Sequence, residues 1–213
     1  MNRLAAILYA AAVVAVAAPG CNPKPIQTSS TPCYLRSPAS LYSVHRVAMV
    51  TLDSGESPPA QARQMTDSLA KALLGRRLFQ LVVVAADDPS VAAMGLDWRK
   101  PIPLEQMQQL RQILQCDAIV MGTLANCRPY PHMQMGLKLR LIDLRGGLLV
   151  WGIDNIWDGQ DESTAKRMER YYKNRKADAV EPLDWRVMLV SPSAFGEFVA
   201  DDVASTLPNR GGR

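Results

Sequence analysis

The sequence predicts an α/β (α+β) fold: a single mixed β-sheet of about five strands, flanked by helices. Three observations carry that expectation. Residues 46–84 read strand, helix, strand, the order of a βαβ unit, whose two strands run parallel. Residues 118–124 (AIVMGTL) are an almost unbroken apolar run, as a strand covered on both faces would be. Residues 134–157 read as two long strands around Arg145-Gly146-Gly147, a hairpin turn signal. The stretch from Asp117 to Asp158 is therefore three consecutive strands around which the chain is organised.

Taken in order, the amino terminus stands outside that fold. Asn2-Arg3 supplies a positive charge, and Leu4–Ala18 is uncharged. A spanning helix needs about 20 apolar residues, so this run is too short and fits the apolar core of a signal peptide over residues 1–20. It ends at Ala18-Pro19-Gly20-Cys21. Gly-Cys after such a run resembles a bacterial lipobox, in which the cysteine thiol takes a diacylglycerol and becomes the first residue. That resemblance implies lipidation at Cys21. An ordinary cleaved signal peptide and an uncleaved anchor are the alternatives. Residues 21–44 are rich in Pro, Ser and Thr and are expected to be a flexible tether. The domain is expected over 45–208, with a disordered tail at 209–213.

Arg46–Leu52 is the first strand of the domain. Ser57-Pro58-Pro59 reads as a capped helix start, and Ala62, Met65, Leu69, Ala72 and Leu73 form one apolar stripe. Gly75 is expected to end that helix. Leu78–Val84 is the parallel second strand. Residues 87–101 read as a loop with a short helical turn, anchored by Trp98. Pro103 opens another helix, with Leu104, Met107, Leu110, Arg111 and Leu114 aligned along it, all but Arg111 apolar.

In the first hairpin arm Leu137, Leu139 and Leu141 alternate with Lys138 and Arg140, which puts the leucines on the core face and the cations in water. By the same parity Leu149, Trp151 and Ile153 share the core face of the second arm. Residues 161–176 are a mostly polar helix, with Glu162–Lys166 and Glu169–Lys173 spaced for i,i+4 pairs and a thin stripe of Ala165, Met168 and Tyr172. Its cations form either a solvated face or a surface for anionic lipid headgroups. Residues 177–192 read as irregular. Ser191-Pro192 then caps a last helix with a stripe of Phe195, Phe198, Val199, Val203, Thr206 and Leu207.

Composition narrows the function classes. Apolar residues make up 48% of the chain and charged residues 21%, which suits a packed domain and excludes a disordered chain. Loss of residues 1–20 removes one cation, Arg3, and lowers the formal charge of +4 to +3. That is too mild for nucleic acid, which is not expected as a partner.

Chemistry is sparse. His45 and His132 are the two histidines, and neither has a second His at metal-ligand spacing. No CxxC, P-loop, GxGxxG or G-x-S-x-G occurs. Asp87-Asp88 and Asp201-Asp202 are adjacent in sequence, so their side chains point apart. No catalytic, cofactor-binding or metal-binding residue is assigned, no cofactor is expected, and a non-enzyme is expected. Cys116 and Cys127 bracket a strand that holds them roughly 30 Å apart, beyond disulfide reach. They read as partly buried thiols, and Cys33 as an exposed one that could reach either. The most distinctive local feature is Asn126–His132 (NCRPYPH). Two prolines stiffen this loop around Tyr130, which makes Arg128, Tyr130 and His132 a candidate interaction site. The plain alternative is that the prolines block edge pairing and Tyr130 packs on the rim.

The opening strand at 45–51, the GRRLFQLVV run at 75–83, CDAIVMGTL at 116–124 and LIDLRGGLLVW at 141–151 stand in one order. Together they resemble the envelope lipoproteins related to the curli-secretion protein (CsgG-like) and the TolB amino-terminal-type domains, over about residues 45–158. The run from Asn126 to Asp158 is closer still to exported proteins of planctomycete-type bacteria. The shared motifs are structural: Gly122 for close backbone approach, Gly146-Gly147 for the turn, Trp151 for the core.

The resemblance implies a lipid-anchored, periplasm-facing envelope protein, expected at the outer membrane. It implies a scaffold or accessory factor that assembles with itself or with an envelope protein partner. Pore-forming relatives add two long hairpins. Residues 87–101 and 161–182 are charged or too short for that, so pore formation is not carried over. A secretion-pore subunit, or a small-ligand-binding or enzymatic domain using the Cys127–His132 loop, are the alternatives.

Overall fold

A computed structural model of the chain describes residues 31–175 and 184–210. The strands are β1 (Tyr34–Leu35), β2 (Arg46–Val50), β3 (Gln80–Val84), β4 (Ala118–Arg128), β5 (Gln134–Asp143) and β6 (Leu148–Asp158). The helices are α1 (Pro38–Tyr42), α2 (Pro59–Gly75), α3 (Pro89–Ala92), α4 (Leu104–Leu114), α5 (Glu162–Arg175) and α6 (Pro192–Ser205), with a 3-10 helix at Trp185–Leu189. All six strands join one sheet in the order β1-β6-β5-β4-β2-β3. β2 runs parallel to both β3 and β4, whereas β4, β5, β6 and β1 pair antiparallel. The fold is therefore the expected mixed α+β sheet, with the βαβ unit on one side and the hairpin on the other.

The sheet is covered on both faces, unequally. Val47 and Met49 of β2 and Leu137, Leu139 and Leu141 of β5 pack with α2 and α6 in the larger apolar cluster. Ala48 and Val50 of β2 and Ile119 and Met121 of β4 point the other way, onto Met107 and Leu110 of α4. This double cover explains the apolar run: Ala118 through Met121 are each no more than 1% exposed. In β5, Lys138 is exposed and pairs with Asp154 at 2.8 Å, as the alternation predicts. Arg140 is only half exposed, because its guanidinium donates to the Trp98 carbonyl.

Four details depart from the sequence reading. The fold begins before residue 45. Tyr34 and Leu35 add a sixth strand beside β6, Leu41 of α1 is fully buried, and Thr31 is buried against Asp202. The second half of the expected tether is thus packed structure. Ser37 caps α1 by accepting from the Ser40 N–H, with Pro38 in the first turn. Ser191-Pro192 caps α6 in the same way.

The parity of β6 breaks at a bulge. Leu141 faces Trp151 and Ile142 faces Leu149, which leaves Val150 as the extra residue. Leu149 therefore packs with the α4-side cluster, while Val150, Trp151 and Ile153 are buried in the larger one.

The third and fourth departures lie at the ends of α2. The helix starts at Pro59 with Pro58 at the cap position, so Ser57 stands one residue too early to accept from the first turn. At the other end Gly75 is the last helical residue, and Arg77 takes the left-handed conformation at φ 55°.

Candidate interaction site

The loop singled out in the sequence is the tip of the β4–β5 hairpin. A register shift between Leu124 and Asn126 lets both strands run on as Asn126↔Gly136, Cys127↔Met135 and Arg128↔Gln134. The root of this extension is braced by the loop after β2. Leu124 donates its N–H to the Asp53 carbonyl at 2.8 Å, and Asp53 donates to that of Gly122 at 3.0 Å. Gly55, at φ +55°, lets that loop lie against β4; a Cβ there would sit 2.7 Å from the Leu124 carbonyl oxygen.

The far side of the tip is tied to the end of β6. Gly159 donates to the Met133 carbonyl at 2.8 Å, and the Met133 side chain is 1% exposed within the larger core cluster. The Asp158 carboxylate gathers three neighbours. Gln134 Nε2 donates to Oδ2 at 3.0 Å, His132 Nε2 lies 3.3 Å from the same oxygen, and the Gln160 N–H donates to Oδ1 at 2.9 Å. Between these braces stand Pro129, Tyr130 and Pro131, with a cis peptide bond before Pro131. Tyr130 is 86% exposed. The rim-packing alternative for Tyr130 is therefore excluded: its ring faces solvent. Arg128 is also exposed. The structure thus brings His132 to Asp158, and holds Arg128 and Tyr130 outward. Cys21, the expected lipidation site, lies outside the described residues.

Burial pushes the Cys127 thiol above its ordinary range, which disfavours the nucleophilic thiolate. Beside it opens a cavity of about 20 Å³ lined by Gln61, Ser68 and Met135 among others, room for about one water. A larger cavity of about 360 Å³ lies between Tyr171, Tyr172, Val187, Met188 and Glu197. Neither is lined by Tyr130 or His132. Among the described residues no group of three or more His, Cys, Asp or Glu could hold a metal ion, and no helix is long and apolar enough to cross a membrane. Cys33 is exposed, Cys116 is buried and Cys127 is half-buried, as the sequence suggests.

Sequence reading missed two partners. From the sequence Asp158 reads only as the end of a strand, although the hairpin register places it opposite Gln134. Asp202 reads only as half of an adjacent acid pair. The two do point apart: Asp201 is exposed and Asp202 is buried. Asp202 Oδ2 accepts from Trp157 Nε1 at 2.7 Å and from Thr31 Oγ1 at 2.5 Å, with Arg167 Nε 3.3 Å away. The signal was its place on the otherwise apolar stripe of α6.

No family model matches the chain, and no curated protein matches it. Several solved structures share part of its path. The PelC dodecamer from Paraburkholderia phytofirmans matches at 14% identity, over 85% of this chain and 95% of that one, with a TM-score of 0.48. The lipoprotein GNA1162 from Neisseria meningitidis matches at 15% identity, over 64% of this chain and 99% of that one, at 0.39. LpoB from E. coli matches at 13% identity, over 74% and 83%, at 0.36. At such low identities and TM-scores none of them bears on what this chain does.

Proposed function

We propose that the chain is a lipid-anchored protein of the bacterial envelope, held at Cys21 and facing the periplasm from the outer membrane. It acts without catalysis, as a scaffold or accessory factor, by binding an envelope protein partner through the β4–β5 tip. The observation that carries this reading is Tyr130: a large aromatic ring 86% exposed, on a loop braced at both ends. Aromatic side chains and Arg dominate binding energy at protein interfaces, and a rigid loop loses little entropy on docking. Arg128 beside Tyr130 supplies the second preferred residue type.

The test is affinity purification of the full-length protein from detergent-solubilised envelopes, wild type against Tyr130→Ala. Removal of an exposed ring leaves the fold intact, so recovery of the partner should fall at least about tenfold, as loss of a hot-spot residue requires. Equal recovery would rule out the tip. Cys21→Ser tests the anchor separately: the variant should leave the membrane fraction or stay unprocessed. Wild-type protein without lipid mass and without membrane association would rule out the anchor while leaving the tip in place.

A further inference from the structure

We propose that the outer edge of β3 pairs antiparallel with β3 of a second copy of this chain, around a two-fold axis at Val82. β3 ends the sheet and has a single neighbour, β2. The Gln80 N–H donates to His45 and the Val84 carbonyl accepts from Thr51, so the even-numbered residues of β3 turn their backbone toward β2. By alternation, Leu81 and Val83 turn their N–H and C=O groups outward from the sheet.

The edge lacks the usual protection. Exposed edges are normally blunted by Lys, Pro, a bulge or shortness. β3 reads QLVVV, has five paired residues in unbroken register with β2, and leaves Val82 and Val83 each 44% exposed. The opposite edge strand, β1, is only two residues long.

Hydrogen bonding sets the register, and charge favours the same antiparallel direction. Antiparallel pairing of Leu81 with Val83 of the second copy, and the reverse, uses every outward backbone group of the strand. Val82 then meets Val82 as a non-hydrogen-bonded pair, the arrangement with the closest side chains. In any antiparallel pairing the turn before β3, which carries Arg77, lies toward the turn after β3 of the other copy, which carries Asp87. Arg77 and Asp87 are both exposed, and among the described residues neither has an ion-pair partner. A two-fold axis repeats this charge match on both sides. The occupant of the edge is therefore a second copy, in preference to an unrelated extended peptide. β3 is the lateral edge of the sheet, whereas the Tyr130 tip lies at a strand end, so self-pairing and partner binding are separable.

Disulfide trapping in the membrane-anchored full chain tests the proposal. Cys33, the exposed thiol, is replaced by Ser in every variant. In a non-hydrogen-bonded pair the Cα atoms lie about 4.5 Å apart, within disulfide range. Val82→Cys should give a covalent dimer on mild oxidation, at least about fivefold above Leu74→Cys, an exposed control on α2. Arg77→Asp should cut that yield several-fold, and adding Asp87→Arg should restore it. Sedimentation of the wild-type chain in detergent is independent of these variants and should show a dimer, lost in Val82→Lys. A monomeric wild type, Val82→Cys trapping no better than the control, or a charge swap that fails to restore the yield would each overturn the proposal. An unrelated peptide on the edge would give the first two results.

Discussion

Trp157 donates its indole N–H to Asp202 Oδ2 across 2.7 Å, and neither residue is more than 8% exposed. This bond joins β6 to α6. The same oxygen accepts from Thr31 and lies 3.3 Å from Arg167 Nε, so one carboxylate ties the start of the described chain, the sheet, α5 and α6 together. Removing the carboxylate takes away the acceptor of the Trp157 indole N–H and of the Thr31 hydroxyl, and the negative charge opposite Arg167, all in a buried site. Asp202→Ala should therefore destabilise the domain by about 3–5 kcal/mol, and Asp202→Asn, which keeps an acceptor oxygen, by less. Urea denaturation of the two variants measures the difference.

Trp151 tests the core. It is fully buried in the larger cluster, and its indole N–H donates to Thr206 Oγ1 at 3.0 Å. Trp151→Ala should cost about 3–5 kcal/mol. Lys138→Ala breaks only an exposed pair with Asp154 and should cost less than about 1 kcal/mol. Arg140→Ala should fall between them, because it removes a half-buried stem and a hydrogen bond to Trp98. Denaturation midpoints should follow that order.

Gly122 lies where β4 and β5 approach closely. A Cβ there would stand 2.1 Å from the Lys138 carbonyl oxygen and 2.8 Å from Leu139 Cδ2. The first contact is backbone and cannot swing aside. Gly122→Ala should thus cost at least about 1–3 kcal/mol, although it adds a single methyl group. A thermal melt unchanged from wild type would refute the close approach.

Asp161 provides a pH signature. Hydrogen bonds from the Ser163 hydroxyl and from the N–H and hydroxyl of Thr164 hold its carboxyl at about 2, below the ordinary value of 3.8. The folded value is the lower one. Its stabilising contribution is therefore full above pH 3.8 and is lost as the pH falls through about 2. Asp161→Asn should reduce the stability difference between pH 5 and pH 2, read as the shift in melting midpoint against wild type at each pH. A variant with the wild-type pH dependence would mean that this cap does not form in solution.

The sheet was largely legible because each of its signals is local. The apolar run before Leu124, the leucine alternation of β5 and the turn at Arg145-Gly146-Gly147 need only neighbouring residues. What could not be read was decided by distant ones. Composition marked residues 31–44 as a linker, yet Thr31 is held by Asp202, 171 positions away in sequence. Ser37-Pro38 carries the same capping signal as Ser191-Pro192 but stands in a stretch whose composition reads as tether. The bulge at Val150 has no glycine or proline to announce it, and it moves Leu149 to the opposite face. At the candidate site, the stiff loop and its three residues were visible from two prolines. The brace at Asp158 depends on hairpin register, which follows only when both strands are placed.

Tyr130 is the proposed docking residue, and site-specific photo-cross-linking tests that role directly. A photoreactive amino acid is placed at position 130 of the membrane-anchored full-length protein, and the same probe at Lys138 serves as an exposed control on the sheet. Irradiation of intact envelopes should give one discrete, higher-mass adduct with another envelope protein from position 130 and none from position 138. Adducts absent from position 130, or equal from both positions, would contradict the proposal that the β4–β5 tip is the binding site.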